Sequence, residues 1–210
     1  SLNKTKFMLE YKASKGAFLS EYQQLPLSSD ELSFSSYQTF DEMPLCDAYY
    51  IGIDPSLGKS KGDYFSVAIL GFFGGKFYAK VKMTKLRPEL MAERIISEAA
   101  AILRLNRPLK IAIETVAFQE FFKDYLEKRA SDLGIYLPII SLKNSVAKEL
   151  RIDSLTPPIN NGVILIDKSS ITFIDELDTY PKSAHDDGLD SLEFAWRIAR
   201  TPNFLSLIHI

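Results

Sequence analysis

Three acids in this 210-residue chain fall where an element is expected to end or begin. Asp54 closes the apolar run AYYIGID, and Glu114 closes LKIAIE 60 residues later. Asp187 opens the amphipathic segment HDDGLDSLEFAWRIAR, 73 residues beyond Glu114, with Asp190 three positions further on the same helical face. Carboxylate oxygens are the donors that hard cations such as Mg²⁺ and Mn²⁺ prefer. Two such ions about 3.5–4 Å apart clamp the attacking and leaving oxygens of a phosphodiester. Acids gathered this closely repel one another, so their convergence makes physical sense with cations between them. Any one of them alone is equally an ordinary turn or cap residue; the reading rests on Asp54, Glu114 and Asp187 together. Asp186 competes with Asp187 for the inward position. Asp63 is either an auxiliary acid or the start of a strand, and His185 either a ligand or water-orienting group or a surface cap.

The elements that would carry these acids are legible from periodicity. After AYYIGID, the runs YFSVAILGFF and KFYAKVKMTKL are strand-like and joined by Gly74-Gly75, a hairpin signal. In the second run Phe77, Ala79, Val81 and Met83 alternate with Lys76, Tyr78, Lys80 and Lys82, giving one wet, basic face. A helix follows from Pro88, with Leu90, Ile95, Ala99, Ile102 and Leu103 as its buried stripe. LKIAIE is a buried strand, FQEFFKDYLEKRASD a helix stopping before Gly134, and IYLPII a strand near an edge because of Pro138. SVAKELRI is a short helix or turn, GVILI and SITFI are short strand candidates, and the last helix has an acidic start suited to its dipole. The order predicts an α/β fold with a mixed five-stranded sheet, three antiparallel strands and then parallel ones, flanked by helices. The first and fourth strands then lie side by side, and Asp54 and Glu114 emerge at one edge.

Residues 1–47 differ from the rest, rich in Ser, Gln, Tyr and Phe with weak periodicity, and 26–47 read as an extended arm or linker. Residues 48–210 form the domain. The chain begins at Ser1 without Met and reads as a fragment of something longer. Its net charge of −2, from 25 Lys+Arg against 27 Asp+Glu, excludes a strongly basic coat protein but conceals an asymmetry. Residues 76–151 hold 15 Lys+Arg and 9 Asp+Glu; residues 152–190 hold 2 and 8. One stretch is suited to phosphates and the other to a metal pocket. Within the basic stretch, Lys143, Lys148 and Arg151 lie between the fifth strand and the final acids. Gly58-Lys59-Ser60 superficially resembles a phosphate-binding loop, but Ile53 stands where that motif needs Gly. The segment is a turn whose Lys59 and Lys61 either touch a DNA backbone or are simply solvated. Tyr49, Tyr50, Phe118, Phe121, Phe122 and Trp196 are expected in the core. The lone Cys46 excludes an internal disulfide framework and suits a reducing cytosol. No apolar run reaches the ~18–20 residues of a membrane span.

Taken together, IGIDPSLGKSKGDYFSVAIL, LKIAIET, SVAKELRI and HDDGLDSLEFA resemble the nuclease domain of large terminase subunits of tailed phages and prophages, in the ribonuclease H-like superfamily. The resemblance covers roughly residues 48–200, with HDD-x-x-D before a helix its most specific part. FLSEYQQLPL resembles the passage from the motor domain of those proteins into the nuclease. The resemblance implies a two-metal DNA endonuclease, using Mg²⁺ or Mn²⁺, that cuts concatemeric viral DNA during packaging in the bacterial cytoplasm, transiently at the procapsid. It implies Asp54, Glu114 and Asp187 as metal ligands, Asp190 in support, and Lys148 and Arg151 as a K-x-x-R feature facing DNA. It also implies double-stranded DNA, a terminase ATPase domain, the small terminase subunit and the portal or procapsid as partners. The chain lacks a Walker motif, so by itself it should not translocate DNA. Two other classes begin from similar features. A ribonuclease H-like ATPase would need a second glycine-rich phosphate loop and an adenosine motif, neither of which is present. A non-catalytic DNA-binding or capsid-docking module would keep the fold without binding metal.

Overall fold

Strand-forming runs of alternating or continuous apolar residues supply the centre of the molecule. A computed structural model describes residues 33–55, 64–114 and 117–201, with side chains undescribed at 117–119. Lys59, Lys61, Asp63, Phe118 and the first 32 residues of the expected arm therefore lie outside the described side chains.

The strands are β1 (Thr39–Phe40), β2 (Ala48–Asp54), β3 (Phe65–Phe73), β4 (Lys76–Thr84), β5 (Leu109–Glu114), β6 (Ile139–Leu142) and β7 (Ile164–Asp167). The helices are α1 (Pro88–Arg104), α2 (Ala117–Asp132), α3 (Lys148–Asp153), α4 (Thr156–Asn160), α5 (Ile171–Thr179) and α6 (Asp187–Arg200). The strands form a single sheet in the order β1-β7-β4-β3-β2-β5-β6. β2, β3 and β4 are an antiparallel meander, and β5 and β6 extend it in parallel beside β2. The β3–β4 turn is Gly74-Gly75, at φ of 58° and 77°, the left-handed region that a primed hairpin turn requires. β6, with Pro138 just before it, is an edge strand.

The sheet has seven strands where the sequence predicted five, because β7 and β1 add in parallel beyond β4. GVILI does contain a strand, but SITFI does not: it opens helix α5. Its β-branched residues mimic a strand, yet Phe173, Glu176 and Leu177 are buried at helical spacing while Ile171 faces solvent. Two side-chain expectations also change. Leu90 and Leu103 sit at the exposed margin of α1, whose buried face is Met91, Ala92, Ile95, Ile96, Ala99 and Ile102. Phe121 is 69% exposed, whereas Tyr49, Phe122 and Trp196 are core residues. The described part of the expected arm is not an extended linker: Phe34 is 1% exposed, and Thr39–Phe40 pairs with β7.

Alternation along the strands gives the sheet two apolar faces. Ile51, Ile53, Val67, Ile69, Ile111 and Ile113 pack with α1 and α2. Ala68, Leu70, Ala79, Val81, Ile164 and Ile166 pack with α3 to α6. On this second face α6 lies directly on β2. A Cβ on Gly52 would stand 1.9 Å from the Ser191 carbonyl oxygen and 2.7 Å from the Ala195 nitrogen, so only glycine admits the helix at that depth. No helix of the described residues is long and apolar enough to cross a membrane.

Candidate active site

Register places the first two acids. β2 and β5 are parallel neighbours with Ile53 opposite Ile113, so Asp54 and Glu114 leave the sheet side by side. Gly52 and Ala112, two residues earlier on each strand, lie on the α6 side, and the period of two puts Asp54 and Glu114 on that side too. The deep seating of α6 on Gly52 then brings its first turn to the same edge. The Asp187 carboxylate accepts the Tyr64 backbone N–H at 3.1 Å, at the start of the strand paired with Asp54. One turn further, the Ser191 and Ser66 hydroxyls meet at 2.8 Å.

The first turn of α6 is held from behind by a residue the sequence did not reveal. Glu176 of α5 is buried, and its carboxylate accepts the amides of Leu189 at 2.7 Å and Gly188 at 3.3 Å. It thus satisfies two of the otherwise unpartnered N–H groups at that helix start.

The electrostatics of the edge follow from crowding. Burial, and then the negative charges of Asp190 and Asp187, push the Asp54 carboxyl well above the usual range; Lys148 opposes them and Glu114 adds to them. Burial also raises Asp187 and Asp190, the latter against the pull of Lys148 and Arg151. The Lys148 ammonium bonds Asp186 at 2.6 Å and pairs with Asp190. Burial works against its charge, but the two aspartates outweigh it and hold the ammonium above its ordinary range. Arg151, 9% exposed, bonds Asp190 at 3.1 Å and Glu193 at 3.2 Å.

Asp54, Glu114, Asp187, Asp190 and Asp186 are therefore gathered at one edge, with Lys148 among them. Arg151 is spent on Asp190 and Glu193 rather than presented outward, because α3 packs it against α6. Lys143 is exposed, and His185 stacks edge-on against Tyr64 with ring centroids 5.2 Å apart. Besides Glu176, sequence reasoning missed Asn144, Glu193 and Arg197. Of these only the Glu193–Arg197 pair, four apart on a helix, carried a readable signal.

Among the described residues no three carboxylate, imidazole or thiol groups stand as a ready-made metal cage. The donor chemistry nevertheless fits a hard divalent cation: all the donors are carboxylate oxygens. Among the described residues no Lys, Arg or His forms an ion pair with Asp54, Glu114 or Asp187; Lys148 acts on Asp54 and Asp187 only through space, which leaves their oxygens open to a cation.

The fold is the ribonuclease H-like fold of terminase nuclease domains. The large terminase nuclease of thermophilic phage G20c, with bound zinc, superposes with a TM-score of 0.56 at 19% identity, covering 79% of this chain and 97% of that one. The human cytomegalovirus terminase nuclease domain, Mn-soaked and inhibitor-bound, gives 0.55 at 17% identity, covering 85% and 94%. The large terminase of a second thermophilic bacteriophage gives 0.55 at 15% identity, covering 92% of this chain but 52% of its own length. The chain thus spans about half of that large terminase. No family model and no curated protein sequence matches it.

Proposed function

We propose that this chain is the metal-dependent DNA endonuclease domain of a large terminase subunit. The observation that carries the proposal is the convergence of Asp54, Glu114, Asp187 and Asp190 at one sheet edge, where burial first, and then the charges of Asp190, Asp187 and Glu114, raise the proton affinity of Asp54. The nuclease domains it resembles in fold include structures holding zinc, cobalt or manganese.

Asp54, Glu114 and Asp187 would hold the ions, two in our reading and Mg²⁺ or Mn²⁺ by donor chemistry, with Asp190 and Asp186 as the further acids. Bound divalent ions supply Lewis-acid stabilisation of the attacking and leaving oxygens of a phosphodiester. The chain's own residues do the rest. Glu176 fixes the helix start that presents Asp187, and Tyr64 holds one Asp187 oxygen through its amide. Lys148 neutralises Asp186 and Asp190, limiting repulsion of an incoming phosphate. Exposed Lys143 gives the same side of the molecule a backbone contact for double-stranded DNA. In the whole protein the domain would work beside a terminase ATPase domain, the small subunit and the portal on concatemeric DNA.

Incubation of the purified chain with supercoiled plasmid and Mg²⁺ or Mn²⁺ should give nicked and linear products. Asp54→Asn and Glu114→Gln should each slow cleavage at least about a hundredfold, the scale of losing a preorganised electrostatic contact. Absence of cleavage with either ion, or undiminished cleavage by Asp54→Asn, would overturn the reading.

A further inference from the structure

Glu114 is held by a neighbour that the nuclease reading does not require. Asn144, in the loop after β6, donates from Nδ2 to Glu114 Oε1 at 2.5 Å. On its other side Asn144 Oδ1 accepts from Arg197 Nη1 at 2.9 Å. Arg197 is itself fixed on α6: its Nε donates to Glu193 Oε1 at 2.9 Å, and its guanidinium lies over the Phe194 ring.

The amide has one orientation that suits both neighbours. Turned over, it would set N–H groups against a guanidinium and a carbonyl oxygen against a carboxylate, two like contacts in place of two favourable ones. Arg197 therefore decides which end of Asn144 faces Glu114. The donated hydrogen bond engages Oε1 and restricts the carboxylate's rotation. Partners of this kind orient ligating groups in metal sites.

We infer that Asn144 is a positioning residue for the Glu114 carboxylate and that Arg197 acts through it, a role that rests on the metal-nuclease reading. The pair ties the ligand on β5 to the helix that carries Asp187 and Asp190, so that both sides of the site move together.

Titration with Mn²⁺ alone, followed by loss of the free-ion electron paramagnetic resonance signal, measures this without DNA. Asn144→Leu should bind Mn²⁺ about tenfold more weakly than the parent, the lower end of what outer partners of metal ligands command. Arg197→Met, which keeps the stem, should lose less. The double variant should lose no more than Asn144→Leu, since the two act in series. On plasmid, Asn144→Leu should lower kcat with KM for DNA held, and added Mn²⁺ should recover part of the rate. Asn144→Ala carries the same expectations and guards against a leucine that disturbs the loop; circular dichroism confirms folding. Unchanged Mn²⁺ affinity in a folded Asn144 variant, or additive losses in the double variant, overturns the inference. A parent that titrates no differently from Asp54→Asn overturns the metal reading itself, and this inference with it.

Discussion

Glu176 shows how one side chain couples proton binding to the shape of the site. Burial pushes its pKa up from an ordinary 4.5 to about 8, although the amides of Leu189 and Gly188 pull it down. Between those values the folded protein keeps a proton that the unfolded chain has released, so stability falls as pH rises through that window. The contribution is fully present below pH 4.5 and lost above about 8. Glu176→Gln, neutral throughout, should flatten this part of the profile by an amount on the order of a few kcal/mol. Urea melts of both proteins at pH 5, 7 and 9 measure it. Such a residue was beyond sequence reading, because a buried acid has no periodic partner. Asp54 and Glu114 were legible for the opposite reason: each ends an apolar run, and the rules of strand pairing placed those runs together. Lys148 was singled out by its position as a DNA contact, whereas its pairing with Asp186 and Asp190 required the fold.

At the level of elements, the site depends on how deeply α6 rests on β2. Gly52→Ala would drive a methyl into the Ser191 carbonyl, which is backbone and cannot rotate away. The helix must lift, at a cost of at least about 3 kcal/mol. Tm should fall by roughly 10 °C in calorimetry, and plasmid cleavage should fall with it, because Asp187 and Asp190 leave their positions. The meander, its glycine turn and the acidic start of α6 were readable because each has a local signal. α5 was not: reading stopped at Ile174, before Leu177 could complete the helical period. β1 was also missed, since two residues are too few to alternate, and its place is set by pairing with β7.

Across the whole molecule, the basic and acidic stretches of the sequence are joined rather than kept apart. Lys148 and Arg151, from the first, pair with Asp186 and Asp190 from the second, so the net charge of −2 hides a contact at the site itself. The fold also extends N-terminal to residue 48, where the sequence placed the boundary. Phe34→Ala should cost roughly 3–5 kcal/mol, as for other buried aromatics, in denaturant unfolding. A residue in a mere linker would cost nothing. The seating of α6 on β2 has a consequence for the protein's birth. Asp54 and Asp187 are 133 residues apart in the chain. At ribosomal speeds of about 5–20 residues per second, roughly 7 to 27 seconds separate their synthesis. During that interval β3 to β7 are still being made, and until α6 follows them the acidic edge of a nascent chain lacks Asp187 and Asp190.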